Sequence, residues 1–174
     1  RSILAVLNKK LLSFSYGHLK STDKIIIEKD LVVKYKKVIS SKEYFNFLKN
    51  NEIILDHDER KKKILKKFNF ICKSKNFKEE FNNKLLEEVI NIVENPNILL
   101  ADFSKSYLDL PNEIIISTLQ NHQRYFPLFN QNDRLTNYFL IVANKPDKKN
   151  VIKNGNKRVV EARLADAKFF WDKD

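Results

Sequence analysis

The sequence predicts an α+β fold: a mixed or antiparallel sheet with a β-hairpin, packed against several amphipathic helices. Three observations carry that expectation. β-like apolar runs crowd the first forty residues, two well-capped helices with apolar stripes occupy the middle, and a helix–hairpin–helix order closes the chain. No internal repeat or low-complexity linker interrupts that order. A chain of 174 residues that is 43% apolar can bury one sizeable core. The expectation is therefore a single module over 1–174, with a junction near 145–155 before the final helix.

The opening stretch RSILAVLNKKLLSFSY reads as two short strands joined at Asn8-Lys9. Two further β-like runs, Ile25-Ile26-Ile27 and Leu31-Val32-Val33, are separated by Glu28-Lys29-Asp30. Ser40 followed by Glu43 forms a capping box and opens a short helix to about Asn50. Asp56, with Glu59 three residues on, caps a longer helix whose Ile64, Leu65, Phe68, Ile71 and Cys72 form one apolar stripe. Leu85, Leu86, Val89, Ile90 and Val93 repeat that logic, and Asn95-Pro96 ends the second helix because a proline disfavours a helical residue before it.

Asn97–Phe103 is expected to be a buried strand. Pro111 suits the first turn of a helix, where its missing N–H costs nothing, and that helix runs to about Gln120. Gln123–Phe129 and Leu135–Ala143 both read as strands, and the turn composition of residues 130–133 makes them a hairpin. On such a strand Gln123, Tyr125 and Pro127 share one face, while Arg124, Phe126 and Leu128 share the other. Pro127 marks an edge strand or a bulge. From Pro146 a final helix carries Ile152, Val159, Leu164, Ala167 and Phe170 on its packing side, with Gly155 as a kink or a joint between two helices.

The composition excludes several chemistries. The glycines are just Gly17 and Gly155, so neither a P-loop nor a dinucleotide fingerprint can be built. Cys72 stands alone, which rules out an intrachain disulfide or a cysteine zinc site and suits a small core residue. His57-Asp58 is reminiscent of metal phosphohydrolases, but His18 and His122 lack the matched helical context such a site needs. No nucleophile elbow is present, and nothing around Asp102 and Asp109 would split their pKa values. No catalytic, cofactor or metal residue is expected. No apolar run is long enough to span a bilayer and no signal peptide opens the chain, so a cytoplasmic protein is expected. The absence of Met and the start at Arg1 fit an internal segment of a longer polypeptide.

The charge is the one strong functional signal. Thirty-three basic against 22 acidic residues give +11, which suits a polyanionic partner, although the Lys, Asn and Ile richness also reflects A·T-biased codons. Between Arg60 and Lys78, nine of nineteen residues are basic and none is acidic. Lys61, Lys62, Lys66 and Lys73 fall away from the apolar stripe, so Arg60, Lys61, Lys62, Lys66 and Lys73 are the first candidates for sequence-blind contact with RNA phosphates. Arg124 and Arg158 are second candidates. His122-Gln123-Arg124-Tyr125 mixes donors with an aromatic, a composition that suits unpaired bases and core packing alike.

Three ordered motifs add a resemblance. HQRYFPLF, LTNYFLIVAN and GN-x-RVV-x-x-RLADA-x-FFW-x-x-D resemble the β subunit of bacterial heterotetrameric glycyl-tRNA synthetase, and HDERKKKI, LLEEVINIVENPNILLADF and YLDLPNEIIISTLQN continue that pattern upstream. Tyr16-Gly17-His18 also fits, although Leu19-Lys20 departs from the family's usual Arg-Phe. The resemblance implies an internal piece of that subunit, serving tRNA-Gly binding, scaffolding or both in an α2β2 enzyme. It also implies that ATP, with magnesium, is used through the α subunit and not here. A purely structural assembly module is the alternative. An editing-like deacylase, by analogy with the B3/B4 module of phenylalanyl-tRNA synthetase, is a weaker one, because no residue set here supports it.

Overall fold

A computed structural model describes residues 2–29 and 32–173. The chain divides into two compact units, Arg1–Ile53 and Ile54–Asp174. It is α+β, with helices beside several small sheets.

The first unit is built from short strands. β1 (Ile3–Leu4) pairs in parallel with β5 (Leu19–Thr22), and β4 (Ser15–Tyr16) pairs antiparallel with the same strand, so this sheet is mixed. Between them β2 (Val6–Leu7) and β3 (Lys10–Leu11) form the expected hairpin. Asn8 and Lys9 at its tip have φ of 50° and 65°, the two positive angles that a twisted two-residue turn needs. β6 (Lys24–Lys29) and β7 (Val32–Lys37) pair antiparallel in full register. Of the expected separator Glu28-Lys29-Asp30, Glu28 and Lys29 belong to β6, while Asp30 and the expected start at Leu31 lie outside the described residues.

α1 (Ser41–Asn50) closes this unit. Ser40 Oγ accepts from the Glu43 N–H, as the capping box predicts, but the Glu43 carboxylate reaches past the cap to the Ile39 N–H at 3.0 Å. Among the described residues of the unit, Val38 and Leu48 are the buried apolar ones, whereas Leu7, Tyr16 and Tyr35 are more than half exposed.

The second unit is organised around an antiparallel sheet in the order β8–β10–β9, with β8 Asn97–Asp102, β9 Phe126–Phe129 and β10 Leu135–Ala143. The period of two divides β10 between two cores. Leu140 and Val142 face α2 (His57–Lys75) and α3 (Asn83–Ile92), meeting Ile64, Phe68, Leu86 and Ile90. Phe139 and Ile141 face a 3-10 turn (Lys105–Asp109), α4 (Asn112–Ser117) and α5 (Val151–Trp171), where Phe103, Ile115, Leu119 and Leu164 fill the space. The central strand is thus apolar on both sides because helices cover both sides. β9 is an edge strand holding Pro127, and its register with β10 shifts between Leu135 and Phe139, as the proline foretells.

Three sequence expectations give way. Gln123–Tyr125 is not strand. After α4 the chain continues as a π-helix (Thr118–His122), and the N–H groups of Arg124 and Tyr125 bond back to the Gln120 and Leu119 carbonyls at 3.1 and 2.8 Å. Arg124 sits left-handed at φ 56°, the closing position that glycine commonly takes, so β9 starts three residues late.

The final helix is continuous through Gly155 instead of kinking there. A glycine inside a helix costs about 1 kcal/mol relative to alanine, which the packing of a 21-residue helix outweighs. It begins at Val151, where the Asp147 carboxylate accepts from the N–H groups of Ile152 and Lys153 at 3.2 and 2.8 Å.

Its packing stripe is also rotated. Val160 and Leu164 are fully buried, while Val159 and Phe170 are 42% and 66% exposed. One residue of helix turns by about 100°, so the adjacent pair Val159-Val160 left the stripe ambiguous in the sequence.

Candidate nucleic-acid interface

α2 places its basic residues on two different sides. Asp56 caps its start, accepting from the Glu59 N–H at 2.8 Å, and left-handed Asn76 ends it. On the side facing α3, Arg60 is half-buried and donates through Nη1 to the Val93 carbonyl at 2.9 Å and through Nη2 to the Leu55 carbonyl at 3.5 Å. Its Nε is buried without a partner among the described residues. The next N–H groups along the chain, those of Glu94 and Asn95, both donate to Oδ1 of the sequence-distant Asn144, so the end of α3 is held from both directions. Arg60 is tied into this structural junction.

Lys61 is likewise committed. Its ammonium bonds Glu87 on α3, where His57 Nε2 also approaches the carboxylate at 3.1 Å. The bond from Lys61 holds the Glu87 carboxyl below the usual carboxylate range, with the charges of Lys61 and His57 acting in the same sense. His57 therefore has an ion-pairing position, and among the described residues no three His, Cys, Asp or Glu side chains converge.

The outer side of α2 is different. Lys62, Lys66 and Lys73 recur at i, i+4 and i+11, which aligns them along about 16 Å of one helix face. Lys62 and Lys66 are exposed and have no ion-pair partner among the described residues. Lys73 approaches Glu79 at only 3.9 Å and stays largely in solvent. On the next row Lys67 lies over the exposed Phe70 ring at 4.8 Å. Lys78, at the end of the basic run, is held between Asp133 (2.6 Å) and Glu80 (3.1 Å); its bonds to those two carboxylates raise its pKa.

The second candidates lie elsewhere. Arg124 is exposed and pairs with Glu88 at 3.5 Å. Arg158 is exposed on α5 with no ion-pair partner among the described residues, while its neighbour Lys157 bonds Asp102 at 3.1 Å. The structure brings Lys62, Lys66 and Lys73 together, leaves Arg124 and Arg158 apart from them, and removes Arg60 and Lys61 to the packed side.

Cys72 is buried, and burial pushes its thiol up to about 11, with the charge of Glu79 adding to the effect. Folded protein should therefore resist thiol reagents at pH 8, reacting far more slowly than unfolded chain; equal labelling rates would contradict the burial. The raised value also predicts stability that is complete below the thiol's ordinary 9.0 and is lost as pH rises toward 11.

Two clefts flank β9 and α5, and neither could be read from the sequence. The larger, about 480 Å³, lies between α4, the π-helix and α5, with Glu113, His122, Arg163 and Asp166 on its walls. Thr118, 7% exposed, lines it as well. Two carboxylates against one guanidinium suit a polyanion poorly. The smaller, about 230 Å³, is walled by Phe81, Phe126, Pro127 and Phe129, with Asn82 and Gln120 at its rim.

Comparison with known proteins places these features in a family. The family model described as "Glycyl-tRNA synthetase beta subunit" matches residues 1–174. The chain is similar to the glycine–tRNA ligase beta subunit of Syntrophomonas wolfei, 37% identical over all of this chain and 25% of that protein. The corresponding subunit of Helicobacter pylori is 43% identical over 79% of this chain and 20% of its own length. That of Dictyoglomus thermophilum is 41% identical over 75% of this chain and 19% of its length. The chain spans a quarter or less of the length of these relatives. No helix among the described residues is long and apolar enough to cross a membrane.

Proposed function

The chain belongs to the glycyl-tRNA synthetase beta-subunit family, and from that premise we propose that it is a non-catalytic, tRNA-contacting part of a glycine–tRNA ligase. The observation that carries this reading is the outer face of α2, where Lys62 and Lys66 have no ion-pair partner among the described residues and stand in line with Lys73. Exposed, aligned ammonium groups are arranged to follow a phosphate backbone, and they bind without reading sequence. Arg60 and Lys61 take no direct part, because their hydrogen bonds are spent inside the fold. In this reading the partners are tRNA-Gly and an α subunit within a cytoplasmic α2β2 assembly, and the α subunit supplies the chemistry with ATP and magnesium.

The test is a triple change, Lys62→Gln, Lys66→Gln and Lys73→Gln, in the assembled ligase. Its affinity for tRNA-Gly should fall, and the slope of log affinity against log salt should lessen by about one for each lysine that touches a phosphate. A slope identical to that of the unaltered enzyme would reject the face.

A structural assembly role is the second reading, favoured by the exposed apolar side chains of the first unit, Leu7, Tyr16 and Tyr35 among them. It predicts that the lysine changes are silent.

A further inference from the structure

The smaller cleft at the edge of β9 has the chemistry of a base-binding pocket, and we propose that it holds one unstacked nucleobase of a bound RNA, a pyrimidine by its size and hydrogen-bonding edge. The inference rests on the tRNA-contacting reading and deepens it.

The walls come first. Phe81 and Phe129 are half-buried, so part of each ring remains open to the cleft, while Phe126 is 1% exposed and Pro127 is buried beneath. Phe68 at 4.8 Å and Phe126 at 6.4 Å pack on Phe81 and hold its ring in place. A planar ligand can therefore stack against a surface that is already ordered, at little conformational cost. A volume of about 230 Å³ is small for most ligand sites, which favours a single-ring base over an extended molecule.

The rim sets the edge that is read. Asn82 Nδ2 donates to Gln120 Oε1 at 3.2 Å, and Asn82 Oδ1 accepts from the Leu85 N–H at 3.1 Å. Each amide oxygen already accepts one bond, whereas Asn82 keeps one N–H and Gln120 two with no partner among the described residues. Glu80, also on the lining, is a carboxylate acceptor paired with Lys78 at 3.1 Å. Donors from two amides beside one acceptor complement an edge with two acceptors and one donor. Among the four bases only the pyrimidines carry such a pairing edge: cytosine donates through N4 and accepts at N3 and O2, and uracil donates through N3 and accepts at O2 and O4. Lys84, exposed two residues beyond Asn82, is available for a neighbouring phosphate.

An aliphatic protein side chain would be the competing occupant. Such a guest would leave the amide donors unmet and would gain nothing from the basic surroundings, with +11 on the chain as a whole.

The experiment uses the assembled ligase and tRNA-Gly molecules in which each unpaired cytidine and uridine is made abasic in turn. One position should weaken binding by about five- to hundredfold, the effect of one base–aromatic stack. In Gln120→Ala, a rim change that leaves the core intact, and in Phe81→Leu, which keeps the bulk but removes the ring, that same position should lose most of its effect. Stacking releases no counterions, so both variants should leave the salt slope unchanged.

If no unpaired position couples to either variant, the pocket assignment is overturned. It is equally overturned if the variants loosen subunit association while tRNA affinity holds, which would reveal a protein occupant. Silent pocket variants beside a flattened slope in the lysine variant would remove this inference alone. Silence in both would remove the tRNA-contacting reading as well.

Discussion

Phe139→Ala should lower the unfolding free energy by about 3–5 kcal/mol, a large part of the 5–15 kcal/mol typical of a whole domain. Phe139 lies on the central strand, is fully buried, and stacks on Tyr125 at 5.5 Å and Phe103 at 6.3 Å. Two effects are therefore lost together: the buried area with its residual cavity, and the ring–ring contacts worth about 0.5–1.5 kcal/mol beyond that area. Phe139→Leu separates them. It retains most of the volume and should cost less than half as much, with the ring contacts as its main loss. Denaturant midpoints measured by circular dichroism would decide. Equal midpoints for the two variants would mean that the rings matter and the cavity does not, contrary to the packing described.

Leu164→Ala should cost about 2–5 kcal/mol, whereas Phe170→Ala, on the same helix, should stay within about 0.5 kcal/mol. The difference follows from burial alone, since Leu164 is fully enclosed between α5 and the sheet while Phe170 is mostly in solvent. The pair tests the rotation of α5. A stripe through Val159 and Phe170 would reverse the order, so a larger loss for Phe170→Ala would contradict the helix orientation. Where the family's complete subunit or its partner covers Phe170, the substitution would act on association and leave the midpoint unchanged.

Much of the architecture is local enough to be legible in the sequence. Ser40 and Asp56 cap helices because their side chains reach an N–H three residues on, and such short-range chemistry survives without knowledge of the rest of the fold. The Asn8-Lys9 turn and the edge position of Pro127 are legible for the same reason. Three features hid their roles. Arg124 closes a helix in a conformation that its side chain does not advertise, Asp147 caps from outside the usual position, and Val159-Val160 offers two equally apolar rotations.

The candidate interface was legible only in part, and the reason is again range. That α2 is basic is written in its composition, but which cationic groups are spent depends on Val93 and Glu87, roughly thirty residues away. Arg60 and Lys61 therefore looked like their neighbours Lys62 and Lys66 until the fold separated them. The β9 cleft is harder still. Phe81, Gln120 and Phe129 come from a loop, a π-helix and a strand, and no spacing rule unites them.

Pro127 has a consequence for how this protein behaves when many copies are crowded together. In antiparallel pairing, opposed residues alternate between exchanging hydrogen bonds and not doing so. Opposite Phe139, a residue without an N–H fits the non-exchanging kind, which turns its nitrogen toward the outer margin of the sheet. A strand from another chain arriving there would find no donor at its centre. The same residue that shapes the floor of a cleft thus makes β9 a poor template for self-association, on a sheet whose middle strand is among the most apolar runs of the chain.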